Sequence, residues 1–296
     1  MITGYPGIDS PQGFPAPMKK LPSIALFLLV ILAIPSCRVF SDSSRTPTPT
    51  PLPVEITDFK GVTMRLVPAG EFTMGSDGDD NSLNPAHRVY LDAFYMDKYE
   101  VTNARYADCV TAGVCDPPHF TRSDFRDDYY SNSQYDNFPV IFVDWTMAKT
   151  YCEAWRGARL PTEAEWEKAA RGTDGRSYPW GEGINCDQAN YDGAPNTFNF
   201  CVGDTSEVGI YESGQSPYGL YDIAGNVFEW VSSINKSYPY DAADGREDPT
   251  GGGSRVIRGG AWSQGPNDQQ VFYRSWVGPD QYESEIGFRC ASGISP

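Results

Sequence analysis

The sequence predicts a loop-rich α+β domain, and three observations carry that reading. Glycine and proline are abundant, 29 and 24 of 296 residues, and aromatics make up 14%; this mixture suits a globular fold with much irregular backbone better than a helical bundle. Three short stretches carry helix-start and helix-stop residues. Strand-like runs separated by polar turns lie on either side of them.

Taken in order, Met64-Arg-Leu-Val-Pro68 and Glu71-Phe-Thr-Met74 predict a hairpin around Pro68-Ala-Gly70. Asp77 to Asn84 is a polar turn, and Val89 to Met96 predicts one aromatic strand. Thr102 is placed to N-cap a helix over Asn103–Thr111, stopped by Gly113. Asp144 caps a second helix, Trp145 to Trp155, that ends before Gly157. Thr162-Glu163-Ala164-Glu165 fits a capping box, in which the threonine hydroxyl and the glutamate carboxylate satisfy each other's backbone N–H; this helix runs to Arg171 and ends at Gly172. Residues 181–220 predict an ordered loop, which needs staples or ions to hold it. Arg255-Val-Ile-Arg258 is strand-like and leads through Gly259-Gly260 into a polar loop containing Gln264, Asn267, Asp268, Gln269 and Gln270.

The N-terminal part reads differently. Met18-Lys19-Lys20 precedes an apolar run, Leu21 to Ile34, and then Pro35-Ser36-Cys37. That order predicts a secretory signal starting at Met18, too short to remain as a membrane span. Ile34-Pro-Ser-Cys37 resembles a bacterial lipobox with an unusual proline, so Cys37 is the candidate lipidation site; ordinary signal cleavage is the alternative. Residues 1–37 are thus the signal segment, 38–55 a Ser/Thr/Pro-rich tether whose alternating prolines favour extended chain, and 56–296 the folded domain. Export as an envelope lipoprotein follows, or secretion if Cys37 is not lipidated.

Setting Cys37 aside leaves Cys109, Cys115, Cys152, Cys186, Cys201 and Cys290, an even set that suits disulfides in an exported domain. Many connectivities are open. Proximity favours Cys109–Cys115 and Cys186–Cys201, which leaves Cys152 and Cys290. The formal net charge of −16 makes nucleic acid an unfavourable partner, because phosphate attraction needs basic surface. With only His87 and His119 as histidines, a His-rich iron or zinc centre is not expected.

Several phrases occur together in order: Met64-Arg-Leu-Val-Pro-Ala-Gly-Glu-Phe-Thr-Met-Gly75, Tyr99-Glu-Val-Thr-Asn103, Arg159-Leu-Pro-Thr-Glu-Ala-Glu-Trp-Glu167, Pro179-Trp-Gly181, Gly219-Leu-Tyr-Asp-Ile-Ala-Gly-Asn-Val-Phe-Glu-Trp230, Arg258-Gly-Gly260 and Gly287-Phe-Arg289. The set resembles the formylglycine-generating enzyme family, the sulfatase-modifying factors, from about residue 60 to 292. The resemblance implies a C-type-lectin-like core with little regular secondary structure, and it supports pairing of Cys152 with Cys290. Active members oxidise a cysteine in a Cys-x-Pro-x-Arg motif to formylglycine, holding copper(I) with two cysteines in the loop after Arg-Gly-Gly. Here no cysteine lies between Gly260 and Cys290; Gln264 and Gln269 stand near those positions. An amide oxygen is a hard, weak ligand for copper(I), so no copper is expected.

The resemblance also implies structural calcium. Asp222 and Glu229 offer carboxylates and Gly225 and Val227 carbonyls, oxygen donors that suit that ion; a second site would use Asn190 and the Tyr191 carbonyl. Arg274, with Gln264, Asn267, Asp268 and Gln269, is the candidate ligand-binding set. The expected function is a non-catalytic, calcium-stabilised binding module at the envelope, its partner an unidentified protein, peptide or glycan. The alternative is an oxidoreductase of the same family with an atypical site.

Overall fold

Residues 51–78, 83–193 and 199–294 are described by the computed structural model. The signal segment and Cys37 lie outside them, as does the tether up to Thr50. The chain enters through β1 (Glu55–Thr57) and β2 (Thr63–Val67), then β3 (Gly70–Met74), β4 (His87–Leu91) and β5 (Phe94–Asp97). Helices α1 (Asn103–Thr111), α2 (Trp145–Thr150) and α3 (Glu163–Arg171) follow, then β6 (Phe228–Ile234), β7 (Arg255–Arg258), β8 (Arg274–Val277), β9 (Ile286–Gly287) and β10 (Ala291–Gly293). The strands form sheets of order β1-β2-β5-β10, β3-β4 and β8-β7-β6-β9.

The hairpin expected around Pro68-Ala-Gly70 does not form. β2 pairs with β5, and β3 pairs with β4 in a separate sheet. Proline at 68 lacks a ladder N–H, and Gly70, at φ 137°, turns the chain through a corner instead of folding it back. The buried Lys168 ammonium fixes that corner by donating to the Pro68 and Gly70 carbonyls at 2.7 and 2.8 Å. The single strand expected over Val89–Met96 is likewise two, β4 and β5, serving different sheets on either side of Asp92-Ala93.

The helices follow their caps. The Thr102 and Asp144 side chains accept from Arg105 and Met147 N–H, and Thr162 and Glu165 form the full capping box. The second helix departs from expectation at Tyr151–Trp155, which winds as a π-turn. That turn carries Cys152, bonded to Cys290 just before β10, so the widened turn and the closing segment are locked together. Cys109–Cys115 and Cys186–Cys201 are also bonded.

α3 is buried along its whole length although five of its nine residues are charged. Four of its five charges meet an opposite charge, and the fifth, Lys168, is held by the Pro68 and Gly70 carbonyls. Arg274 meets Glu163 at 2.7 and 2.9 Å, Arg258 meets Glu167 at 2.6 Å, and Arg171 meets Glu167 at 2.8 Å. Trp166 Nε1 donates to Glu229 at 2.8 Å. Charges this deep need full pairing, because an unpaired one costs several kcal/mol of lost hydration (about 3–5 when a partner is removed). This helix therefore acts as the polar axis onto which β6, β7 and the loop beyond β7 are docked.

Candidate functional site

The loop after β7 is built from Arg258 outward. This side chain is fully buried. Besides Glu167, it donates to the carbonyls of Val271 at 2.9 Å, Phe272 at 3.1 Å and Tyr273 at 2.5 Å, which pulls the far end of the loop back to the strand. Gly260 follows at φ 74°, and a Cβ there would stand 2.1 Å from Gln269 Oε1. Only glycine fits that approach. Gln269 itself is buried, and its Nε2 lies within hydrogen-bond reach of the carbonyls of Ala261 (3.1 Å), Gln264 (3.2 Å) and Gly265 (3.3 Å).

These contacts sort the predicted ligand-binding set. Gln269 is an internal staple of the loop, not a recognition group. Arg274 is buried on Glu163, donates to the Lys236 carbonyl and lies 4.6 Å from the Tyr238 ring centroid; its charge is spent in the core. Asp268 accepts from Gly265 N–H at 3.2 Å. Gln264 and Asn267 remain at the surface. The Gln264 amide donates to Ser263 Oγ and Glu285 Oε2, each at 3.1 Å, and Ser263 also bonds Glu285. Trp262 packs beside them against Phe200 at 5.6 Å and Phe125 at 5.8 Å between ring centroids, and Phe125 is 70% exposed. The outward face of the loop is thus amide, hydroxyl, carboxylate and aromatic.

This donor set does not fit copper(I). Gln264 and Gln269 carry no sulfur, Gln269 is enclosed by loop carbonyls, and the one nearby cysteine of the closing segment, Cys290, is bonded to Cys152. A soft ion needs thiolate or thioether donors.

The second element is the turn leading into β6. Asp222 and Asn226 both adopt left-handed backbone, φ 52° and 64°. Asp222 Oδ2 accepts from Gly209 N–H at 2.6 Å, while Oδ1 is buried without a partner. Burial pushes the Asp222 carboxyl up to about 6 against the pull of the Gly209 N–H and Arg289. Glu229 is already engaged: Arg289 donates to both its oxygens at 2.6–2.9 Å and Trp166 adds its indole N–H. The free carboxylate oxygen beside this turn belongs instead to Glu100, 2% exposed, whose Oε2 accepts from Asn226 at 2.6 Å and whose Oε1 has no partner. Burial, then the charges of Asp222 and Glu229, hold its carboxyl well above the usual range. The sequence reading missed Glu100, although the residue lies in the quoted Tyr99-Glu-Val-Thr-Asn103 phrase; only the fold brings it to the turn.

Asn190 joins the same region. Its backbone carbonyl accepts from Asn226 N–H at 2.9 Å, its Nδ2 donates to the Asp204 carbonyl at 2.8 Å, and its Oδ1 is buried without a partner. The Tyr191 carbonyl is taken by Cys201 N–H at 2.9 Å. The structure therefore brings Asn190, Asp222 and Gly225 together, adds Glu100, and places Glu229 on Arg289. Three buried oxygens without donors, on Asp222, Glu100 and Asn190, are the hard, oxygen-only chemistry that calcium takes. Among the described residues no three His, Cys, Asp or Glu side chains converge as a metal site, so an ion here would also draw on amide and backbone oxygens.

The histidines are occupied. His87 Nδ1 lies 2.7 Å from the Pro85 carbonyl, and Nε2 accepts from Tyr240 N–H at 2.8 Å. His119 stacks on Tyr282 at 3.8 Å and contacts Asp144 at 3.2 Å.

Residues 51–294 match the sulfatase-modifying factor enzyme 1-like domain. The chain belongs to that family. Its α+β architecture is the C-type-lectin-like fold of the sulfatase-modifying factors. Among relatives, the Chlamydia pneumoniae protein named serine/threonine-protein kinase pkn1 is 37% identical over 251 residues, covering 78% of this chain and 38% of that protein. The chain thus spans well under half the length of that relative. The bovine (Bos taurus) protein named inactive C-alpha-formylglycine-generating enzyme 2 is 32% identical, covering 81% of this chain and 91% of that protein. Among solved structures, PvdO from Pseudomonas aeruginosa superposes with a TM-score of 0.62 at 25% identity, over 83% of this chain and all of that one. In this sulfatase-modifying factor the loop after Gly260 carries Gln264 and Gln269 and no cysteine before Cys290.

Proposed function

We propose that this sulfatase-modifying factor is a non-catalytic binding module, held in shape by calcium and attached to the cell envelope. One observation carries the reading: Gln269 is folded into the loop that would otherwise hold copper thiolates and spends its amide on three loop carbonyls. The relative named as inactive, similar along most of its length, supports it. Binding then falls to the outward face, where Gln264, Ser263, Glu285 and Phe125 offer hydrogen bonds beside an exposed ring, a surface suited to a peptide or glycan.

Calcium at the Asp222 turn would take Asp222 and Glu100 side-chain oxygens and the Gly225 and Val227 carbonyls, and it would relieve two buried carboxylates of their unpaired charge. A second ion would use Asn190. Calcium at about 100 times its Kd is expected to stabilise the domain by about 2.7 kcal/mol, visible as a rise in Tm that Asp222→Asn with Glu100→Gln abolishes. A melting curve indifferent to both calcium and chelator, with no calcium found by mass spectrometry, removes this part of the proposal. For the anchor, Cys37→Ala is expected to move the protein from the membrane to the soluble fraction and to end palmitate labelling; an unchanged distribution would argue for plain secretion.

A further inference from the structure

A cavity of about 320 Å³, lined by none of the Gln264-loop residues, opens beside the edge strand β8. We infer that it is a subsite for a neutral sugar ring, separate from the Gln264 loop and independent of calcium. Trp276 of β8 lines it and is 43% exposed, a large indole surface left to solvent. Asn84, Asn235 and Ser237 line it too. Asn84 donates from Nδ2 to the Gly78 carbonyl at 2.7 Å and keeps Oδ1 buried without a partner, and among the described residues the Asn235 and Ser237 side chains make no hydrogen bond.

The charged groups of the rest of the lining already have partners. Tyr238 is buried, and Arg274 is clamped to Glu163 by two hydrogen bonds while lying over the Tyr238 ring. Lys236 faces Asp244 at 3.8 Å and also donates to its carbonyl.

That combination selects a ligand class. A pyranose ring presents weakly positive C–H groups on one face, which the negative face of an indole attracts. Its hydroxyls each need a donor and an acceptor, and carboxamides supply both. An apolar peptide side chain would stack as well but would cover the Asn235 and Ser237 side chains without giving them a partner. An acidic sugar finds no uncommitted cation, because Arg274 and Lys236 already have carboxylate partners. The volume admits a small ligand of one or two rings.

The test is titration of the full chain with maltotriose, cellotriose and chitotriose, and with a galacturonate trimer as the anionic probe, followed by calorimetry and ligand-observed NMR. At least one neutral trisaccharide is expected to bind saturably, with affinity reduced about tenfold or more in Trp276→Ala and several-fold in Asn235→Ala. Both variants are expected to melt as the wild type, since both positions are at the surface. Chelator is expected to leave sugar binding intact, which separates this inference from the calcium proposal. The inference is overturned if none of the neutral sugars saturates, if only the galacturonate trimer binds, or if Trp276→Ala binds as tightly as wild type.

Discussion

Arg258→Ala is expected to destabilise the domain by about 3–5 kcal/mol, the range for removing one member of a buried ion pair. The guanidinium is fully buried, lies 2.6 Å from Glu167 and 3.8 Å from Glu163, and holds the Val271, Phe272 and Tyr273 carbonyls. Its loss leaves Glu167 with Arg171 alone among the cations of α3's network and removes the donor of three carbonyls. Arg258→Lys keeps the charge but cannot reach those acceptors as a fork, so it should fall between the two. Urea denaturation monitored by tryptophan fluorescence measures both; a loss below about 1 kcal/mol for the alanine variant would show that the network is not what holds the loop. The same variant should speed hydrogen exchange in residues 261–273 more than in α1.

Removing the Cys152–Cys290 disulfide, as the double alanine variant, is expected to cost up to about 5 kcal/mol. The bond closes a span of 138 residues, and the entropy of the unfolded chain grows with the span released. It also joins the π-turn after α2 to the segment that leads into β10 inside the main apolar cluster. Removing Cys109–Cys115, with a separation of 6, should cost clearly less. Equal losses from the two would mean that local packing, not chain closure, sets the value.

What could be read ahead of the structure was what is local. Caps at Thr102, Asp144 and Thr162 act within one helical turn, so their side-chain chemistry is written in consecutive residues. Disulfides between near neighbours are similar. The hairpin at Pro68-Ala-Gly70 misled because a short turn sequence does not say which strand it will face; Lys168, a hundred residues on, decides that. The Asp222 turn was visible as a motif, but the identity of its second free carboxylate was not. Glu229 is the expected carboxylate in sequence, but Arg289, sixty residues later, pairs with it, and the carboxylate oxygen without a partner near the turn is that of Glu100. Gln269 and Arg274 stand in the candidate ligand-binding set by residue type and position in the chain, and both are buried. Their burial depends on Gly260 and Glu163, neither of which lies beside them in the chain.

The loop beyond Arg258-Gly-Gly260 is closed on itself by Gln269 and has no thiolate pair to hold copper(I). Its most direct test is to incubate the purified protein with copper(I), oxygen and a Cys-x-Pro-x-Arg peptide and to weigh the peptide by mass spectrometry. The peptide cysteine is expected to be recovered with no aldehyde formed, at a level equal to a control without protein. Time-dependent conversion of that cysteine to formylglycine, lost on Gln264→Ala, would show that the loop is catalytic without a thiolate pair.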